Sequence, residues 1–353
     1  MGVVRRCLAK GLGTIILFID FKKAYDLIPR EALLFKLRAA GVSGKTLNFL
    51  RGLYTNSKFR VRVGGILTCI FEVPRGCRQR CVSSPISFDV FIDDLVLELR
   101  NVGVSVPSMG KLLASLLFAD DLAIMVESVK VLKRACKIVS DWVNKWEMAV
   151  GITKCGLMIP DSEGLREEVL KALLSGEILL QGLAPPHTEE YKYLGVILTE
   201  MDFLGLKKHM EGQIKKFTSY WKRLEPLLRT QSILVKSRKH ILNVVALPVL
   251  RWGSELLGPS EKSIRKMESA YSDAIKCLVG SQSKNTIYVI ESVRVELGIP
   301  SFHEIVMRSH YHILTQYPGL KSWVSKIATA LRQSNGSSGT LKLGVLTRNM
   351  RRS

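Results

Sequence analysis

Apolar positions in this chain fall into short runs and one-sided stripes, separated by charged segments. TIILFID (14–20) is a continuous apolar run that ends on an aspartate, which predicts a buried strand closing at Asp20. REALLFKLRAA (30–40) predicts a helix closed by Gly41, and Ser43 stands where it can cap a second helix reaching Tyr54. KFRVRV (58–63) alternates strictly, and after Gly64 and Gly65 comes ILTCIFEV (66–73), a hairpin pattern. Ile86, Val90, Phe91, Leu95, Val96 and Leu99 recur at helical spacing, with Ser84 as the expected cap and Pro85 at the first helical position. LLFADDLAIMV (116–126) predicts two short strands around a turn, and residues 129–150 a long amphipathic helix. Strands alternating with helices to residue 160 predict an α/β or α+β domain.

Residues 161–190 carry acids, glycines and Pro185-Pro186 and read as a surface connection. YKYLGVILT (191–199) reads as a further strand, and the chain beyond it as mostly helical. SNGSSGT (334–340) reads as a flexible linker before a basic tail.

Composition narrows the partners. With 353 residues and 47% hydrophobic content the chain is long and apolar enough to bury a large core. Its net charge of +21 points to a polyanion, either nucleic acid or an acidic membrane surface. No apolar run approaches the roughly 18 residues that span a bilayer. The start MGVVRRCLAKGLGTIILFID mimics a signal peptide, but TIILFI is only six residues long and ends at Asp20, so export is not expected. Nor is myristoylation, because position six is Arg. Seven scattered cysteines with no CxxC pair predict free thiols in a reducing compartment. Residues 205–240 hold ten Lys or Arg against two acids, a net of +8, with Phe217, Tyr220 and Trp221 interleaved. Such a segment can track a phosphate backbone, or can bury its aromatics and leave its lysines in water.

Three stretches invite a chemical reading. AAGVSGKT (39–46) fits a loose phosphate-loop pattern, but a helix precedes it where a strand is required. FIDDL (91–95) sits in the helical stripe, which places Asp93 and Asp94 on the outer, solvated face. LLFADDLAIMV puts Asp120 and Asp121 at a hairpin tip inside an otherwise apolar run, where an unpaired carboxylate is costly to bury. A solvated turn is the plain explanation; a metal site is the other. If Asp20 ends a neighbouring strand, three carboxylates converge, and hard divalent cations relieve their repulsion.

FIDFKKAYD (18–26), RGCRQRCVSSP (75–85), FADD (118–121), WEMAVGITKCGLM (146–158) and YKYLGV (191–196) occur in the order of the motifs of reverse transcriptases. The chain resembles most the enzymes of non-LTR (LINE-type) retrotransposons. That resemblance implies an α+β fold, a right-hand polymerase palm with an antiparallel sheet and flanking helices. It implies a palm over 1–160, a connection and primer-grip-like strand over 161–200, a basic helical thumb-like region over 201–333 and a tail over 334–353. Asp20, Asp120 and Asp121 would then be catalytic, holding two Mg²⁺ or Mn²⁺ ions with the carbonyl of Phe21. Tyr25 stands at the gate against a ribose 2′-hydroxyl, Gln79 and Arg80 near the incoming nucleotide, and Lys154 as a proton donor to pyrophosphate. Tyr193, Leu194 and Gly195 stand at the primer. The implied partners are an RNA template, a DNA primer and deoxynucleoside triphosphates, in the nucleus or cytoplasm and not secreted.

The chain departs from the family pattern at Arg80, where glycine is usual, at Val82, where proline is usual, and at Thr153, where asparagine is common. Only nineteen residues precede Asp20, which leaves no room for the family's first finger strands. These departures imply a partial or decayed copy, so two classes stand side by side: an active RNA-directed DNA polymerase, and a nucleic-acid-binding remnant without turnover.

Overall fold

The computed structural model describes residues 10–55, 58–106, 111–160, 162–203, 206–256, 261–279 and 287–316, together with Val4 and Cys7. The linker and tail expected over 334–353 lie outside them. The described residues form two compact units, one from Cys7 to Tyr191 and one from Lys192 on, which also takes in Val4.

The first unit is built on an antiparallel sheet of β1 (Ile15–Asp20), β2 (Ser115–Phe118), β3 (Asp121–Val126) and β4 (Gly156–Met158), in the order β4-β1-β3-β2. β1 is central and buried on both faces, which is why it reads as an unbroken apolar run. Ile15, Leu17 and Ile19 join Leu122, Ile124 and Val126 in the main core, while Phe18 on the other face stacks on Tyr191 at 4.2 Å. The core face is covered by α3 (Ser83–Leu99) and α4 (Val129–Lys145). α4 buries Leu132, Ala135, Cys136, Val139, Trp142 and Val143, a stripe at helical spacing. Each large apolar side chain so buried contributes roughly 1.5–3 kcal/mol. Ser128 caps α4 by accepting from the Val131 N–H. α1 (Arg30–Ala39) and α2 (Gly44–Tyr54) come before α3, joined through Gly41.

The expected hairpin is present as two short ladders, Lys58–Phe59 with Phe71–Glu72 and Arg62–Val63 with Ile66–Leu67. The stretch read as a surface connection holds a helix, α5 (Glu163–Leu174). Its acids face water, while Leu165, Val169, Ala172 and Leu173 pack on the core at helical intervals. The start of α3 also differs from expectation. The helix begins at Ser83 with Val82 at its N-cap, so Pro85 is the third helical residue. Ser84 does not cap it, because its hydroxyl donates to the Arg78 carbonyl at 2.7 Å.

Asp94 corrects a second expectation. Asp93 is exposed, but Asp94 accepts from Lys36 Nζ at 2.8 Å and from Trp142 Nε1 at 2.7 Å. Lys36 is buried, donates to the Phe91 carbonyl at 2.6 Å, and lies over the rings of Phe91, Trp142 and Trp146 at 4.2, 5.0 and 3.9 Å. A helical wheel of α3 alone assigns Asp94 to water because Lys36 arrives from α1, far away in sequence.

The second unit is helical. A hairpin of β5 (Glu190–Tyr193) and β6 (Val196–Thr199) leads into it, followed by α6 (Lys207–Arg229), α7 (Glu261–Leu278) and α8 (Phe302–Gln316), with shorter helices between them. Phe217, Tyr271 and Phe302 form an edge-to-face chain with centroids 6.4 Å apart at each step. Buried Arg238 donates to the carbonyls of Leu228 and Leu278, both at 2.9 Å. One guanidinium thus satisfies orphan carbonyls at the C-terminal ends of α6 and α7, where a cation also meets the negative ends of the two helix dipoles.

Candidate active site

β1 delivers Asp20, and the turn between β2 and β3 delivers Asp120 and Asp121. Ala119 makes that turn at a left-handed φ of 54°. In the antiparallel register Asp20 is the partner of Asp121. Directly opposed residues project from the same sheet face with Cβ atoms about 4.5–5.5 Å apart. The Asp121 carboxyl is held above its ordinary range, first by burial of its surroundings and then by the charges of Asp120 and Asp20. Among the described residues no three His, Cys, Asp or Glu side chains are arranged to hold one metal ion. The three carboxylates therefore form an open patch of negative field and not a closed cage. Such a patch suits a small hard cation that takes one or two carboxylates and fills its remaining positions with water and phosphate oxygens.

Local structure pins Asp20 closely. The Gly151 N–H donates to its carbonyl at 2.8 Å, and a Cβ on Gly151 would lie 2.7 Å from Asp20 Oδ2. A side chain there would push the Asp20 carboxylate aside. Lys154, in the 3₁₀ turn Ile152–Lys154, brings its Nζ to 3.9 Å from Asp20 Oδ2 with its side chain largely exposed. The Lys154 carbonyl accepts from the Tyr191 hydroxyl at 3.0 Å. Phe21 is buried, bridged to Val150, with its ring edge-on to Trp142.

Tyr25 belongs to the short helix Ala24–Leu27 and stacks on Phe88 at 4.7 Å. Its hydroxyl is pushed up by burial, then by the charges of Asp120 and Asp89, which places it in the field of the aspartate patch. Gln79 Nε2 donates to Asp26 Oδ1 at 2.9 Å, tying the segment before α3 to the segment after Asp20. Asp26 was not legible as its partner in sequence. Arg80 is exposed and adopts φ 63°, a left-handed conformation that suits glycine. Asp20, Asp120, Asp121, Lys154 and Tyr25 thus share one field, and Gln79 and Arg80 lie on the loop tied to it.

Tyr193, Leu194 and Gly195 fall in the second unit. Leu194 at φ 48° and Gly195 at φ 79° make the tight turn between β5 and β6. Trp252 packs on that turn, since a Cβ on Gly195 would lie 2.8 Å from its Nε1. Of the aromatics expected to line the basic run, Phe217 is fully buried and Trp221 half-buried, and Tyr220 is exposed. Residues 39–46 run from helix to helix, as the rejection of a phosphate loop requires. All seven cysteines are free thiols. Among the described residues no helix is long and apolar enough to cross a membrane.

A helix-backed antiparallel sheet, with carboxylates on a hairpin tip opposed to an aspartate at the end of its central strand, defines the palm class of polynucleotide polymerases. A family model described as reverse transcriptase (RNA-dependent DNA polymerase) matches residues 4–198, more than half of the chain, and the chain belongs to that family. Over 248 residues it is 23% identical to the RNA-directed DNA polymerase from mobile element jockey of Drosophila funebris, covering 68% of this chain and 25% of that one. Over 222 residues it is 24% identical to the Pol polyprotein of the type-1 retrotransposable element R2 of Nasonia vitripennis, covering 62% and 21%. The chain therefore spans a quarter or less of the length of these two non-LTR retrotransposon relatives. Among solved structures, telomerase from Candida albicans in complex with a fragment of telomeric RNA aligns with a TM-score of 0.42 at 11% identity, covering 92% of this chain and 51% of that one. Reverse transcriptases generally use divalent metal ions.

Proposed function

We propose that this reverse transcriptase domain performs RNA-templated DNA synthesis at Asp20, Asp120 and Asp121. The register pairing of Asp20 with Asp121 beside Asp120 carries the reading, because it concentrates negative charge that a bound cation relieves. The donors fit Mg²⁺, with Mn²⁺ as an alternative, since every one is a hard oxygen: three carboxylates and the Phe21 carbonyl. Two such ions, when bound, would promote ionisation of the primer hydroxyl and offset the charge of the departing pyrophosphate.

The chain's own side chains do the rest. Tyr25, fixed on Phe88, floors the sugar site and excludes a ribose 2′-hydroxyl. Gln79, held by Asp26, aligns the incoming deoxynucleoside triphosphate, with Arg80 beside it. As the primer 3′-oxygen bonds to the α-phosphorus, the bond to the β-phosphate breaks, and Lys154 gives a proton to the leaving pyrophosphate. Tyr193, Leu194 and Gly195 hold the primer end against an RNA template, and the basic region beyond 201 acts as a thumb. The setting is intracellular, in the nucleus or cytoplasm.

Primer extension on an RNA template tests this. Asp20→Asn and Asp120→Asn should each reduce the rate by about 10³-fold or more, by analogy with loss of an essential charge-stabilising group. Extension that survives both substitutions overturns the proposal. A second reading, a nucleic-acid-binding remnant without turnover, is favoured by the strained Arg80. The same assay on the natural chain separates the two.

A further inference from the structure

We propose that one face of α6, together with Trp252, binds single-stranded nucleic acid by stacking. His209, Gln213, Lys216, Tyr220 and Arg223 follow at intervals of four, three, four and three residues, so they share a face of the helix. The upstream end of this face is buried and fixed. His209 and Gln213 are 3% and 5% exposed, and both bond the Trp252 carbonyl, at 2.9 and 3.3 Å. The Ile197 N–H donates to His209 Nδ1 at 3.3 Å, so Nε2 carries the proton and donates to Trp252. This latch fixes the Trp252 backbone while its side chain stays 56% exposed beside the Leu194–Gly195 turn.

Downstream the face opens to water. Lys216 and Arg223 are exposed, and Tyr220 is 46% exposed. From Gln213 to Tyr220 the helix rises about 10 Å, the span of about three stacked nucleotides. Both acids of the basic run are paired within the unit, Glu211 with Lys266 at 3.7 Å and Glu225 with Arg229 at 2.8 Å. They oppose a polyanion little. Two exposed aromatics, with Lys216 between them along the helix and Arg223 beyond Tyr220, match what an unpaired strand offers, flat base faces alternating with phosphates. A duplex hides those faces and offers only edges. The inference extends the primer-binding reading of Tyr193, Leu194 and Gly195 to an unpaired strand, but it does not rest on the aspartate site.

The test uses the full chain, a fluorescent oligothymidylate about ten nucleotides long and a duplex of equal charge, followed by anisotropy. Trp252→Leu and Tyr220→Leu keep apolar bulk and remove the ring. Each should weaken the single strand about tenfold and leave the duplex unchanged. Trp252→Phe and Tyr220→Phe should bind within about threefold of the natural chain, since a ring remains. Lys216→Ala should lower the salt slope by about one. Leucine variants that bind like the natural chain overturn the proposal, as does equal loss of strand and duplex. If Trp252→Leu disturbs the latch in thermal melts, Tyr220→Leu alone must still show the loss. Asp20→Asn should leave oligothymidylate binding intact, which separates failure of the polymerase reading from failure of this one.

Discussion

Asp20 and Asp121 are opposed partners on β1 and β3, and the Asp20 charge helps to hold the Asp121 carboxyl above its ordinary range, after burial and Asp120. A carboxyl held above its ordinary value adds stability only below that value and loses it as pH rises through the folded one. At neutral pH the ionised Asp121 therefore opposes folding. Asp121→Asn should melt higher than the natural chain at pH 7, and the gap should close toward pH 4. Mg²⁺ should raise the melting temperature of the natural chain more than that of the variant. A gap that widens on acidification would contradict the shared field.

Arg80 is strained where glycine is not. Arg80→Gly should gain about 0.5–1 kcal/mol, the relief of a left-handed side-chain residue less the added freedom of the unfolded glycine. A urea midpoint measures it. Primer extension should rise at every deoxynucleotide concentration. A loss confined to low concentrations would assign Arg80 to the triphosphate instead.

Lys36 and Asp94 are unequal partners, since the lysine is 8% exposed and the aspartate 33%. Asp94→Ala strands a buried ammonium and should cost about 3 kcal/mol. Lys36→Met leaves a carboxylate that still accepts from Trp142 and still reaches water, and should cost about 1 kcal/mol. Chemical denaturation of both variants checks the order, which is the informative quantity.

His209 is kept neutral by burial, reinforced by Lys216 and partly offset by the Trp252 carbonyl and Glu255. Its folded value lies below the ordinary 6.5, so the unfolded chain takes up the proton first. Stability should therefore fall as pH drops below about 6.5. His209→Gln, which cannot titrate, should remove that part of the slope in melts recorded from pH 7.5 to 5.

Elements whose signal is local were legible in the sequence. β1 declared itself by an unbroken apolar run, α4 by its stripe, and the FADD turn by two charges inside a core segment. Partners supplied by another element were not legible. Asp94 read as solvated because nothing near it announces Lys36, and Trp252 sits 57 residues beyond the turn it braces. α5 was obscured because its glutamates and nearby glycines outweighed four apolar residues on one face. The aspartate site lies between these cases. Each carboxylate sits in a local motif, but their meeting depends on β1 pairing with β3.

That pairing has a cost during synthesis. Ile15–Asp20 leaves the ribosome well before its neighbours Asp121–Val126 and Gly156–Met158. At roughly 5–20 residues per second, about 100 residues of delay leaves the most apolar strand of the sheet without a ladder for some 5–20 seconds. Both of its edges are open to other chains throughout that interval. Any nascent polypeptide released before Asp121 carries a ready-made nucleus for aggregation, so the yield of this domain is set as much by what shields Ile15–Asp20 on the ribosome as by the stability of the finished sheet.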